Sequence, residues 1–296
     1  MTAIPNPAIP FPAMPLPDIP AAAKSSAEGT ASALALELAL SWELADIADA
    51  ISMDRFGAAD LKVESKPDLT PVTEADKAVE QAIRAAIAMR FPDDVVAGEE
   101  FGGFEEGRVP GGRVWIIDPI DGTKNYVRGV PIWATLIALV IDGTPTLGLV
   151  SAPALGRRWW AGAGVGAWTQ TRIIGADLTP RRLDVSAVSS LEDASFSYSD
   201  REGWADRTST GFDALVAAVW RTRAYGDFYS HLLVAEGAVD IAAEPELSAW
   251  DIAALIPIIT EAGGSVTGYD GSDALSSKGA FTTNGLLHQR VMDCLR

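Results

Sequence analysis

The chain has 296 residues, enough for one large domain or two small ones, and 48% are hydrophobic, so a sizeable buried core is expected. Its 23 basic against 40 acidic residues give a formal charge of −17, which argues against nucleic acid or an anionic membrane as the main partner. The single cysteine, Cys294, excludes an internal disulfide, and no uninterrupted apolar run is long enough to span a bilayer.

Seven prolines stand two or three apart in the first twenty residues. Such a segment cannot form a regular helix or a central strand. It also lacks the basic start and continuous apolar core of a signal peptide. Residues 1–30 are therefore expected to be an extended or disordered leader, dispensable for activity. Residues 31–56 place Leu34, Leu38, Ile47 and Ile51 near one helical face, with Gly57 as the stop. A short strand over 61–64 leads into the loop Lys66-Pro67-Asp68. A second helix covers 73–91 and ends at Pro92. Residues 95–97 form a short strand aimed at Gly98-Glu99-Glu100, and the glycine-rich stretch 102–112 is a loop. The strand 114–117 then delivers Asp118-Pro119-Ile120-Asp121-Gly122-Thr123.

Four consecutive strands follow at 133–141, 146–152, 157–161 and 167–171, with Asp142-Gly143 as a hairpin turn. They predict an antiparallel meander, to which 181–185 adds an edge. Gly162, Gly164 and Gly166 look superficially like a nucleotide loop. The strand-like Trp168-Thr169-Gln170-Thr171 follows them instead of a helix, so a hairpin is the better reading. Later segments alternate: strands at 194–198, 220–224 and 239–242, helices at 212–219 and 229–237. A helix over 248–262 is capped by Ser248, kinked at Pro257 and stopped by Gly263-Gly264. A strand around Val266, another at 280–283 and a helix over 286–295 complete the chain. The order suggests an α+β half over 31–175 with the metal motifs, and an α/β half over 176–296 with the substrate elements.

Asp118 and Asp121 sit three residues apart at the exit of an apolar strand, and a Gly-Thr pair follows where a helix or tight turn begins. That arrangement suits a hard divalent cation beside a phosphate, because carboxylate oxygens fit Mg²⁺ and backbone N–H groups attract anions. A polar turn would also contain Asp and Gly. It would not account for the further acids in Gly98-Glu99-Glu100 and Trp250-Asp251. Thr73-x-x-Asp76 fits a capping box, or an acid facing the site; both can hold. Thr123 is either a helix cap or a hydroxyl that relays a proton or holds water. Glu100 is either beside the site or solvated, and Lys124 is read as solvated. For so acidic a chain to act on phosphate esters, bound cations must invert the local field.

In chain order, Lys66-x-Asp68 with Thr73-x-x-Asp76, Gly98-Glu99-Glu100, Asp118-Pro119-Ile120-Asp121-Gly122-Thr123 and Trp250-Asp251 resemble the signature of the inositol monophosphatase family of Mg²⁺-dependent, lithium-sensitive phosphatases, over about residue 33 to the end. The resemblance implies a layered α-β-α-β-α sandwich, mixing α+β and α/β halves, with the active site between them. It implies two or three Mg²⁺ ions on Glu99, Asp118, the Ile120 carbonyl, Asp121, Asp251 and Asp76. It makes Asp76, Glu99 and Thr123 catalytic and gives Gly122 and Thr123 the phosphate. The chemistry implied is direct attack by metal-activated water. His231 and His288 fall in helices outside any motif, so a packed or exposed role is expected for them.

Tyr225-Gly226-Asp227-Phe228 and Ala243-Glu244-Pro245-Glu246 fall where members of the family place substrate contacts. Asp227 and Glu244 would repel each other across a neutral polyol, but facing an ammonium and an imidazole they would be paired. The runs 119–133, 151–160 and 223–228 resemble actinobacterial histidinol-phosphate phosphatases of this family. That implies hydrolysis of L-histidinol phosphate in cytoplasmic histidine biosynthesis by a homodimer. The alternatives are an inositol-1-phosphate or broad sugar phosphatase and, from another class, a non-catalytic regulatory binding partner on the same fold.

Overall fold

The computed structural model describes residues 34–66, 70–103, 109–171, 177–204 and 209–295. The leader expected over 1–30, Pro67 and Asp68 of the first loop, and part of the glycine-rich loop lie outside the described residues.

Helix α1 (Ala35–Arg55) is followed by a small hairpin of β1 (Val63–Ser65) and β2 (Pro71–Thr73), and then by α2 (Glu74–Arg90). A seven-stranded sheet comes next. It runs in chain order through β3 (Val95–Gly98), β4 (Arg113–Asp121), β5 (Ala134–Ile141), β6 (Thr144–Ala152), β7 (Arg157–Gly162), β8 (Gly166–Thr171) and β9 (Arg181–Arg182). The β3–β4 pair is parallel and the rest is the expected antiparallel meander. A short helix, α3 (Thr123–Arg128), stands between β4 and β5. At the β5–β6 turn Asp142 and Gly143 both take positive φ, 48° and 80°, the conformation that lets a two-residue loop follow the strand twist.

Both faces of this sheet are covered, which is why β4 reads as an unbroken apolar run. Trp115 and Ile117 pack toward α1 and α2 with Leu44, Val79 and Ile83, while Val114 and Ile116 face the opposite cluster. That second face meets the helices α5 (Asp227–Ala235), α6 (Ala249–Ile252) and α7 (Leu255–Glu261). On their other side lies a five-stranded sheet of β10 (Ser195–Ser197), β11 (Arg221–Arg223), β12 (Ile241–Glu244), β13 (Ser265–Thr267) and β14 (Ala280–Thr283), in the order β11-β10-β12-β14-β13. Helices α4 (Ser209–Ala218) and α8 (His288–Leu295) close its far face around Phe196, Phe212, Ile241, Phe281 and Val291. The molecule is thus the expected α-β-α-β-α stack.

Two local readings need correction. Strand β2 was not expected, because it opens on Pro71; it pairs only with β1 at the edge, where a missing N–H is tolerated. The helix expected over 248–262 is two helices, and the interruption falls at Ala253 and Ala254 instead of a bend at Pro257. Pro257 has no N–H for the Ala253 carbonyl and its ring crowds that oxygen, so the hydrogen-bond ladder lapses four residues upstream while Ala253 and Ala254 keep right-handed helical dihedrals, and Pro257 sits in the first turn of α7. Trp159 and Trp160 are both buried in the core, one on each face of the large sheet.

Candidate active site

Strand β4 carries two acids to one end of the large sheet. Its register against β5 shifts between Asp118 and Asp121, a bulge that lets both belong to one exit. The Ile120 N–H donates to Asp118 Oδ1 at 3.0 Å, and Thr135 Oγ1 donates to the Pro119 carbonyl at 2.8 Å. Asp121 Oδ2 accepts the Phe228 N–H, from the start of α5, at 2.7 Å. Gly122 then turns the chain into α3 with φ 82°, and an added Cβ would lie 3.0 Å from the Ile132 carbonyl oxygen. Thr123 Oγ1 donates to the Ile120 carbonyl at 3.0 Å and lies 3.4 Å from Asp76 Oδ1.

Asp251 comes from the middle layer, at the third position of α6. Its Oδ2 accepts the Ser248 N–H at 2.7 Å. One oxygen from each of Asp118, Asp121 and Asp251 can lie within 4.8 Å of the others. Asp76 combines both geometries considered for it. Its Oδ2 accepts from the Thr73 N–H at 2.8 Å and from Thr73 Oγ1 at 2.5 Å, closing the capping box of α2, while Oδ1 faces Thr123.

Glu99 lies outside that trio. Lys66 Nζ stands 2.7 Å from Glu99 Oε1 and 2.7 Å from Glu100 Oε1. The loop carrying them is fixed by Glu80, a residue sequence reasoning passed over. Its carboxylate accepts the N–H groups of Glu100 at 2.7 Å and Phe101 at 3.2 Å, and pairs with Arg84 at 2.8 Å. A Cβ at Gly98 would come 2.3 Å from Glu80 Oε1, so only glycine allows this approach. The available signal was Glu80-x-x-x-Arg84 on the apolar face of α2.

Burial pushes the carboxyls of Asp118 and Asp121 well above the ordinary range, and neighbouring acids push further: chiefly Glu99 for Asp118 and Asp227 for Asp121. Burial likewise takes Asp251 up to about 7 and Asp76 up to about 6. Among the described residues, no basic side chain pairs directly with any of these four. Like charges buried together disfavour ionisation, and a bound cation reverses that logic. An all-oxygen donor set of this kind suits Mg²⁺.

Beside these acids is a cleft of about 650 Å³ lined by Glu99, Gly122, Thr123, Lys124, Asp227 and Asp251 among others; Asp76, Asp118 and Asp121 are not among its lining residues. Asp227 begins α5 at φ 49°, a left-handed conformation that costs a non-glycine residue about 1–2 kcal/mol. Its Oδ2 accepts from Asn125 Nδ2 at 3.2 Å, and its N–H donates to Ser199 Oγ at 2.8 Å. Ser199 Oγ in turn donates to Glu244 Oε1 at 2.7 Å. Glu244 is 5% exposed and does not itself line the cleft. Burial raises Asp227 to about 6, opposed by the exposed Lys124; burial also raises Glu244 well above the ordinary range, opposed by Ser199. Ser199 carries no motif, and Asn125 stood out only as part of a resemblance. Neither histidine lines the cleft: His231 is buried with Nδ1 2.7 Å from Thr282 Oγ1, and His288 stacks on Phe281.

The model of the inositol monophosphatase family matches residues 36–295. The chain belongs to the inositol monophosphatase family. It is 56% identical over 264 residues to a histidinol-phosphatase of Streptomyces coelicolor, covering 88% of this chain and 96% of that one. It is 54% identical over 257 residues to a histidinol-phosphatase of Mycobacterium tuberculosis, covering 86% and 96%. Among solved structures, the IMPase of Thermotoga maritima superposes with a TM-score of 0.74 at 34% identity, covering 88% and 96%. Membership implies Mg²⁺ dependence, which the cluster of acids fits. No described helix is long and apolar enough to cross a membrane.

Proposed function

We propose that this phosphoric monoester hydrolase is a histidinol-phosphatase, converting L-histidinol phosphate and water to L-histidinol and phosphate. The observation that carries the reading is the linkage, through Ser199, of two carboxylates, the half-buried Asp227 at the cleft and the buried Glu244, beside the Gly122-Thr123 turn. A polyol offers such a pair no charge compensation. An ammonium does, through charge-assisted hydrogen bonds. The two relatives above 50% identity bear the name histidinol-phosphatase, which supports the same substrate.

In this reading Glu99, Asp118, the Ile120 carbonyl, Asp121, Asp251 and Asp76 hold two or three Mg²⁺ ions. Bound Mg²⁺ supplies Lewis acidity toward the phosphoryl oxygens and toward a water molecule. Gly122 admits the phosphate close to the backbone. Thr123 Oγ1 and Asp76 Oδ1 would hold the attacking water, whose proton passes by way of the Thr123 hydroxyl to the Asp76 carboxylate. The water oxygen adds to phosphorus, the ester P–O bond breaks, and the leaving alkoxide takes a proton from solvent water to give L-histidinol. Asp227 and Glu244 fix the cationic end of the substrate, so the phosphorus is presented in one orientation. Assembly as a homodimer and a place in cytoplasmic histidine biosynthesis belong to the same reading.

The test is Mg²⁺-dependent phosphate release from L-histidinol phosphate, inositol-1-phosphate, fructose-1,6-bisphosphate and adenosine 3′,5′-bisphosphate. The expected result is a kcat/KM for histidinol phosphate far above the others. Comparable rates on inositol-1-phosphate contradict it. Asp227→Asn and Glu244→Gln should each raise KM for histidinol phosphate by about tenfold or more, the loss of one buried charge-assisted contact, and much less for an aryl phosphate. Equal effects on both substrates remove the two acids from substrate recognition.

A further inference from the structure

Ser199 follows the end of β10 and lies between the two acids assigned to substrate recognition, touching both through one oxygen. Its bonding polarity is fixed by its neighbours. The Asp227 N–H is a donor only, so Ser199 Oγ accepts there at 2.8 Å. The single hydroxyl proton is then free for Glu244 Oε1 at 2.7 Å. Glu244 Oε1 is thereby held on the Ser199 side, behind the residues that line the cleft. The same bond anchors the backbone of Asp227 in its left-handed conformation at φ 49°. The next N–H along, from Phe228, is committed separately to Asp121 Oδ2 at 2.7 Å. Ser199 and Asp121 thus hold neighbouring peptide groups at the start of α5, one for the substrate end and one for the metal end. The Asp227 carboxylate is fixed from the other side by Asn125 Nδ2, which also donates to the Ile132 carbonyl at 2.9 Å.

We propose that Ser199 is the positioning residue of the specificity subsite: its hydroxyl aligns the Glu244 carboxylate and the Asp227 backbone into one receptor for a cationic alcohol phosphate. The proposal rests on the histidinol-phosphatase reading. A residue that only packs would affect every substrate alike, or stability alone. A residue that sets the geometry of two acids acts on the substrate that needs both. Ser199→Ala removes the bond to Glu244 and the acceptor for the Asp227 N–H, while the Phe228–Asp121 contact at the metal end is made without it.

The experiment measures kcat and KM of the full-length wild type, Ser199→Ala and Ser199→Thr in saturating Mg²⁺, on L-histidinol phosphate and on p-nitrophenyl phosphate. Thermal denaturation of each variant is measured alongside. Expected is a kcat/KM for histidinol phosphate that falls at least tenfold more in Ser199→Ala than the value for p-nitrophenyl phosphate. The loss should lie mainly in KM, and Ser199→Thr, which keeps the hydroxyl, should recover most of it. The double variant Ser199→Ala with Glu244→Gln should lose less than the product of the single losses, because both break one contact. A wild type with no preference for histidinol phosphate overturns the substrate reading itself. A wild type that prefers it, with Ser199→Ala lowering both substrates equally or with no recovery in Ser199→Thr, overturns the role of Ser199 alone.

Discussion

The chain buries two populations of carboxylates, and they are treated differently. Under α1 and α2, away from the cleft, three buried acids are paired with arginines: Asp49 with Arg158 at 2.5 Å, Glu80 with Arg84 at 2.8 Å, and Glu37 with Arg113 at 2.9 Å. At the cleft, Asp76, Asp118, Asp121 and Asp251 are held by backbone N–H groups and a threonine hydroxyl, and among the described residues none has an arginine or lysine. The first set is a closed internal account of charge that ties helices to the sheet. The second is open. Crowding two buried and two half-buried acids together without cations is unfavourable unless something outside the chain completes them. That contrast, more than the presence of acids, is what fits the second set to a bound cation. Asp227 and Glu244 repeat the pattern at smaller scale, held by Asn125 and Ser199 and, among the described residues, in no ion pair.

The sharpest way to break the contrast is to neutralise an acid of the open set. Asp121→Asn should lower kcat/KM by about 10³-fold or more while the protein stays folded, since it removes charge where the reaction needs it. Circular dichroism with phosphate release checks this; retained turnover removes Asp121 from the chemistry. The converse substitution in the closed set should act on stability. Arg158→Ala takes the guanidinium from buried Asp49 and should destabilise by about 3–5 kcal/mol, with normal kcat in the folded fraction. By contrast, Asp118→Asn should leave the Mg²⁺-free protein as stable as wild type or more so, because a buried unpaired charge is removed. Denaturant melts of both variants test the pair, and a large destabilisation by Asp118→Asn would contradict the open set.

Mg²⁺ itself should raise stability by about 2.7 kcal/mol at a concentration one hundred times its Kd. The pH dependence sets the sign of a smaller effect. Asp76 and Asp251 rise from 3.8 to about 6 and about 7 in the metal-free fold, so their contribution is complete below 3.8 and is lost as pH rises through those values. His231, lowered by burial from 6.5 to about 4, contributes above 6.5 and loses that contribution as pH falls toward 4. The stabilisation gained from Mg²⁺ should therefore be larger at pH 8 than at pH 5. An increment independent of pH would mean that these acids are not the ones completed by metal.

The acids of the open set were legible because short contiguous motifs carry them: a strand exit at Asp118 and Asp121 and helix starts at Asp76 and Asp251 each leave a local signature, whereas the Gly-Glu-Glu motif led to Glu99, which pairs with Lys66. The meander was legible for the same reason, through Asp142-Gly143 and the alternation of strands and turns. What was not legible is what depends on distant chain. Glu80 meets Gly98 across α2 and β3, an approach that the Glu80-x-x-x-Arg84 spacing does not reveal, and Ser199, which carries no motif, joins Asp227 to Glu244 from a third element. The left-handed Asp227 follows from contacts on both sides of its peptide, which no dipeptide preference encodes. At Pro257 the residue was read correctly and its consequence misplaced, because the carbonyl it disturbs lies four residues earlier.

The most direct test of the open set is calorimetric titration of Mg²⁺ into metal-free protein at pH 6, in buffers of different ionisation enthalpy, for the wild type and Asp118→Asn. The account predicts saturable binding by the wild type with release of protons, as acids held partly neutral by burial become ionised, and a weaker, smaller release in Asp118→Asn. Absent binding at millimolar Mg²⁺, or identical binding and proton release in the two proteins, would contradict it.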